Sequence, residues 1–343
     1  MSRLNLMQLT GWITAAAVQR PLDLSAYVAE RTQSSRPAVR KILVKLIESG
    51  WLVKEGTVSR PVYSPGILRQ VVATYPLQRL EEDIPWDRDF APNFVLPPAV
   101  QRMVQHIFGE ILNNAIDHSG GTTVTVSLRQ TPSHVQLLVS DDGRGLFDHI
   151  RESFAIEDAQ YAMLELSKGK LTSAPDRHTG RGLFFSSQLA DVFEIHANGS
   201  NFQRRGWDNG GWHSGRPLAR QGTSVFASIS LDTTRTLDEI LSAWSRDQSG
   251  VAFDCTKVPL RLLLSSSSAL DSRAQARRAA ARLPQFRHAE IDFSGVTEVG
   301  HSFADELFRV FALQHPDIEL VPANMAPRVA LLVNAVRAPA AVH

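Results

Sequence analysis

The stretch from Val100 to His118 constrains this chain more than any other. Val104, Ile107, Phe108, Ile111, Leu112 and Ala115 recur there at three- and four-residue intervals, which predicts one amphipathic helix beginning after Pro98. Glu110 and Asn114 are four residues apart on it. That spacing sets a carboxylate and an amide on one face, a turn apart, where both can point into one pocket. Two strand-like runs follow, Thr123 to Arg129 and Val135 to Ser140, and the second leads directly into Asp141-Asp142-Gly143-Arg144-Gly145. An acid at a strand end, followed by two glycines, lets the backbone turn tightly and a flat ligand approach closely.

The length of 343 residues, with 43% hydrophobic residues and a formal net charge of +1, fits two or three ordinary globular domains. The single cysteine, Cys255, excludes an internal disulfide, and no apolar run approaches the roughly 20 residues of a membrane span. The opening MSRLNLMQLTGWITAAAV is interrupted by Gln8, Thr10 and Thr14 and is patterned as an amphipathic helix rather than a secretory signal. A cytoplasmic protein without membrane contact is the expectation.

Charge is unevenly distributed: up to Gly66 there are nine Lys or Arg against four Asp or Glu, an arrangement suited to a polyanion. This block resembles a winged helix-turn-helix. Leu24, Tyr27, Val28 and Ala29 mark a short helix and Thr32 to Ser35 a turn. A second helix follows, with Ser35 as its cap and Pro37 in its first turn. Val39, Ile42, Leu43, Leu46 and Ile47 line one face of it until Gly50. Trp51 to Val53 and Val62 to Ser64 form a two-stranded wing. Arg36, Arg40, Lys41 and Lys45 fall on the outer face of the second helix, where a helix-turn-helix protein contacts the major groove of DNA. A solvated face on a dimerisation or regulatory module is the alternative. Beyond residues 1–70, prolines 76, 85, 92, 97 and 98 break any long helix, and residues 71–97 read as a linker or strap.

Four segments occur in order: GEILNNAIDHS, VSDDGRGLF, HTGRGLFFSSQLAD and QGTSVFASI. Together they resemble the nucleotide-binding boxes of the ATPase superfamily shared by DNA gyrase, heat-shock chaperones, histidine kinases and mismatch-repair proteins. The resemblance covers about Pro98 to Leu231 and implies, over 98–232, a mixed sheet backed by helices that binds ATP and magnesium. It assigns roles residue by residue. Asn114 matches the magnesium ligand, and Asp141 the acid that accepts from the adenine amino group. Gly143 and Gly145 give room beside the base. Gly180 and Gly182, with Arg181 and Leu183 in the same box, open a helix whose amides face phosphate. Thr223 matches the hydroxyl supporting the adenine-reading acid. Glu110 is the candidate catalytic residue, activating either water or a protein hydroxyl, with pairing to a neighbouring base as the alternative.

The span Ile150 to Thr179 corresponds to the ATP lid, in which Lys168, Lys170 and Arg177 are the candidate phosphate contacts. Asp142 reads as a solvated turn acid. Phe184 stands where sensor kinases commonly carry a further glycine, and the box GRGL followed by bulky residues is similar to that of anti-sigma-factor serine kinases.

Beyond the ATPase, over 250–343, Val258 to Ser265, Ala289 to Phe293 and Ile318 to Val321 are short apolar runs separated by helical patterns, a small α/β domain. IDFSGVTEVGHSFADELFRVF is similar to the STAS fold of anti-sigma-factor antagonists. Ser302 matches their phosphorylatable serine, although His301 replaces the customary aspartate before it, and a helix N-cap is the other role open to Ser302. The expected architecture is therefore α/β, with winged helix, central α/β sandwich of histidine-kinase-like type and STAS-like domain. Three functions remain open: an ATP-driven conformational or dimerisation switch with slow hydrolysis, a serine protein kinase, and an ATP-sensing DNA-binding regulator. The expected partners are ATP, a protein reached through the STAS-like domain, DNA, or a second copy of the chain. No histidine upstream of Glu110 lies in a His-Glu or His-Asp phosphoacceptor helix, which disfavours a histidine autokinase.

Overall fold

The computed structural model describes residues 6–173, 179–208, 211–264 and 269–338. They fall into two compact units, Met1–Gly143 with Ser224–Thr234, and Arg144–Thr223 with Arg235–His343. Among the described residues no helix is long and apolar enough to cross a membrane.

The first unit opens with four helices, α1 (Leu6–Thr10), α2 (Ile13–Gln19), α3 (Leu24–Thr32) and α4 (Arg36–Glu48). The amphipathic opening segment is thus two helices, interrupted at Gly11-Trp12. Gln33 enters the left-handed region at φ 51° and ends α3. Ser35 precedes α4 in extended conformation, but its side chain makes no capping hydrogen bond; Pro37 at the start of the helix supplies the preset φ instead. A hairpin follows, β1 (Leu52–Gly56) against β2 (Pro61–Pro65). Ile13, Leu24, Val28, Val39, Leu46 and Leu52 bury the apolar faces of these elements in one core.

The segment expected to be a linker or strap starts with a sheet strand. β3 (Arg69–Pro76) pairs antiparallel with β4 (Thr123–Gln130) along its whole length. Its prolines do interrupt the helices, yet the turns between them are packed. α5 (Asp83–Pro85) and the π-helical turn Trp86–Phe90 set the rings of Trp86 and Phe90 edge-on to Phe108, each 5.2 Å from it. Phe108 belongs to α6 (Pro98–His118), the helix foreseen in the sequence. α6 lies on β5 (His134–Asp141). The strand order in this unit is β3-β4-β5-β9, all neighbours antiparallel, where β9 is Thr223–Ser230. Alternate residues of these strands, such as Val126, Val139 and Val225, point inward and are buried.

The second unit contains α7 (Leu146–Phe154), α8 (Ala159–Lys168) and α9 (Gly182–Leu189). An antiparallel meander comes next, β6 (Val192–Ala197), β7 (Ser200–Arg205) and β8 (Trp212–Ser214). After Arg235 comes α10 (Leu237–Ser242), started by a reciprocal cap between Thr236 and Glu239. A parallel sheet ordered β10-β11-β12 then forms from Cys255–Pro259, His288–Asp292 and Glu319–Ala323. Its strands are joined through α11 (Arg273–Ala280) and through the run α12 (His301–Asp305), a π-helical segment and α13 (Ala312–Gln314); α14 (Pro327–Arg337) closes the chain. Of the apolar run Val258–Ser265, β10 takes Val258 and Pro259, and Leu260–Leu263 is a 3₁₀ turn. Proline has no amide hydrogen to continue the ladder. Residues 265–268 lie outside the described residues.

Phe108 is 1% exposed between two aromatic rings. Phe108→Ala is expected to cost about 3–5 kcal/mol by loss of packing and creation of a cavity. Urea unfolding followed by tryptophan fluorescence checks this, and a loss under about 1 kcal/mol would show that the site collapses around the missing ring.

Candidate functional site

Because α6 commits its apolar stripe to the sheet, a second stripe at four-residue spacing, His106, Glu110 and Asn114, is left half-buried. His106 Nε2 and Asn114 Nδ2 are both buried, and neither has a hydrogen-bond partner among the described residues. Burial lowers the His106 pKa, and the nearby Glu110 charge opposes that only in part. Unpaired buried polar atoms cost stability unless something else satisfies them. Two such atoms lie on one helix stripe, either side of the Glu110 carboxylate.

The C-terminal end of α6 is fastened to the end of β5. Ser119 Oγ donates to Ala115 O at 2.5 Å and accepts from Gly121 N at 3.0 Å. Gly143 packs on this same turn: a Cβ there would meet Ser119 O at 2.3 Å, so only glycine fits. Asp141 is 5% exposed, and its Oδ1 accepts from Gly143 N at 2.9 Å. The next acid is exposed, as expected of a turn acid, and it also has a structural task. Asp142 accepts from the amides of Thr122 and Thr123, at 2.7 and 3.0 Å, and from both threonine hydroxyls, at 2.6 and 2.9 Å. Those donors hold its carboxyl well below the usual carboxylate range. Asp142 is the staple that ties the strand end to the loop after α6.

In the second unit, Gly145 precedes α7 with φ 90°, a conformation costly for any other residue. Leu146 N, the first amide of that helix, donates to Thr223 Oγ1 at 2.9 Å. The two motifs are joined further by Asn198, which the sequence reading missed. Its Nδ2 donates to Arg144 O at 2.8 Å and to the Asp148 carboxylate, and its Oδ1 accepts from Gly222 N at 3.1 Å. A signal was present, since Asn198-Gly199 between two alternating runs is a hairpin turn pair, and Asn198 has φ 48°. What the pattern did not disclose is that the side chain of the turn residue laces the first glycine box to the closing one.

The second box lies at the start of α9. Gly180 has φ 65°, Arg181 holds the N-cap position, and Gly182 and Leu183 form the first turn. The Arg181 guanidinium donates to Val251 O at 2.9 Å and lies 5.5 Å from the Phe253 ring. Two of the expected lid cations, Lys168 and Lys170, are engaged by protein groups. Lys168 is fully buried, with Nζ 2.6 Å from Glu165 Oε1 and 2.8 Å from Ala281 O. Lys170 donates to Gln285 O at 2.7 Å and stands 4.5 Å from the Phe286 ring. Both thus reach the C-terminal domain, where carbonyls and ring faces offset the cost of taking a cation out of water. Arg177 lies outside the described residues. Phe184, in place of a glycine, fills the space between Trp244 and Phe253, 4.8 and 4.9 Å away.

Ser302 is exposed in the first turn of α12, and Gly300 occupies the N-cap, so capping is not the role of Ser302. On α4, Arg36, Arg40, Lys41 and Lys45 are all exposed.

Residues 79–203 match the family model of the histidine kinase-like ATPase domain, a span that includes α6 and both glycine boxes. Residues 276–330 match that of a STAS-like domain of unknown function, from α11 into α14. No curated protein matches the chain. The chain thus joins a histidine-kinase-like ATPase domain to a C-terminal STAS-like domain in a mixed α/β architecture.

Proposed function

We propose that this protein binds ATP with magnesium and uses binding, with slow hydrolysis, as a conformational switch linking its N-terminal helical module to its STAS-like domain. The observation that carries the reading is the unsatisfied stripe on α6. Asn114 Nδ2 is a buried donor without a partner among the described residues, and a phosphate oxygen is the kind of acceptor it lacks. The oxygen of the same amide suits a hard cation. Among the described residues no group of three or more His, Cys, Asp or Glu could hold a metal, so magnesium here would take most of its ligands from phosphate and water. When bound, magnesium would neutralise charge on the phosphate oxygens.

The remaining roles follow the residues. Asp141, buried and anchored by Gly143, accepts from the adenine amino group; Thr223 supports that acid; Gly143 and Gly145 leave space beside the base. Gly180, Arg181, Gly182 and Leu183 present the amides of α9 to phosphate. Glu110, a turn before Asn114, orients the attacking water as general base. A second reading, a serine protein kinase, is supported by Ser302, whose side chain is exposed at the start of α12. In a third, the winged-helix reading of the N-terminal module, the four exposed cations of α4 contact DNA and ATP shifts its populations.

Asp141→Asn is expected to weaken adenine-nucleotide binding by about ten- to a hundred-fold, the cost of about 1.5–3 kcal/mol for a hydrogen bond to a charged group. Unchanged affinity in calorimetric titration would sink the assignment. Incubation with γ-labelled ATP and magnesium, following free phosphate and protein-bound label together, divides the enzymatic readings. Free phosphate alone supports the switch, whereas label lost in Ser302→Ala supports the kinase. Duplex binding, where it occurs, is expected to weaken with a log–log salt slope of about −0.9 per phosphate contacted, and Arg40→Ala to make the slope shallower. A flat salt response leaves the module with protein partners only.

A further inference from the structure

A lysine ammonium taken out of water costs several kcal/mol unless other groups replace its hydration. Lys168 is 0% exposed, and its replacements are specific: Glu165 from its own helix and the carbonyl oxygens of Ala281 and Arg278, the last at 3.3 Å. The backbone carbonyl of Lys168 is used as well, accepting from Thr256 Oγ1 of β10 at 2.7 Å. Around this pair runs a continuous seam between α8, α9 and the chain beyond Arg235. Arg282 stands 3.6 Å from the second Glu165 oxygen and donates to Lys170 O. Gly180 lies directly on that segment, since a Cβ there would meet the backbone of Lys170 and Leu171 at 2.6 Å. Arg181 is held by Val251 O, and Phe184 and Phe185 pack with Phe253 and Phe286 in one buried cluster.

We infer that Lys168 and Glu165 are positioning residues for the nucleotide site: they bolt the start of α9, with its Gly180-Arg181-Gly182 turn, to the STAS-like domain. The STAS-like domain is then a structural part of the phosphate-facing end of the ATPase rather than a tethered partner. This rests on the reading of that turn as phosphate-facing. A hydrophobic pair would fill the same volume at lower desolvation cost, so what the lysine contributes is direction: Glu165 holds the ammonium from its own helix, and the two carbonyls of Arg278 and Ala281 allow one placement of α8 on the C-terminal domain.

The test is the full-length double variant Glu165→Gln/Lys168→Met, which removes both charges while keeping the packed volume. Thr256→Val provides a second cut through the same seam should the double variant fold poorly. The amides of residues 182–189 are expected to exchange with deuterium about ten-fold faster without nucleotide, while β4 and β5 keep wild-type protection. Binding of ATP with magnesium is expected to become about ten-fold weaker even where the melting temperature stays at the wild-type value. Wild-type exchange across 182–189 in the folded double variant, or in Thr256→Val if the double variant does not fold, overturns the inference. So does wild-type ATP affinity in a variant whose exchange has risen. A wild-type chain that binds no ATP instead overturns the functional reading, and the nucleotide-free exchange still decides whether the bolt exists.

Discussion

A helix that gives one face to a sheet can offer only its remaining edge to anything else, and α6 shows how much follows from that. Its apolar residues from Val100 to Ala115 are buried, each worth about 1.5–3 kcal/mol for a large side chain, so rotating the helix to another face would expose most of them. The orientation of His106, Glu110 and Asn114 is therefore set by hydrophobic burial, which has no knowledge of a ligand. The Ser119–Gly143 contact then sets the depth of that stripe relative to Asp141. Packing fixes the frame, and the polar atoms left over define the chemistry.

In the second unit the determining contacts are cationic. Lys168, Lys170, Arg181 and Arg282 all lie along the junction of α8 and α9 with the C-terminal domain, and each is matched to a carbonyl, a carboxylate or a ring face. A seam of this kind is directional in a way that an aliphatic one is not. The aromatic block of Phe184, Phe185, Phe253 and Phe286 supplies the burial, and the charged groups supply the register.

Much of this was legible in the residues. The period of α6, the two strands after it and the glycine boxes all stand where apolar spacing and turn chemistry put them, because each is a local pattern. The strand β3 was missed: Val71, Ala73 and Tyr75 alternate with exposed Val72 and Thr74 over only five residues, a run too short to stand out beside the prolines that follow until β4 is seen to pair with it. The lid lysines failed for a related reason. In sequence a lysine beside a glycine-rich box is a mobile cation, and nothing local announces that carbonyls more than a hundred positions away will enclose it. Asn198 lay between these cases, visible as a turn residue while its side-chain task depended on Gly222 and Arg144.

The adjacent acids Asp141 and Asp142 carry a consequence for how such chains are compared. One is buried at the strand end with an oxygen on its own turn; the other faces the opposite way and gathers four donors from the preceding loop. Since successive side chains of a strand point to opposite faces, the two positions are chemically alike and geometrically exclusive. An alignment shifted by a single residue would exchange a buried acid for an exposed staple without any visible change in composition. The pair is thus a natural register mark: which aspartate turns inward records the phase of the whole strand.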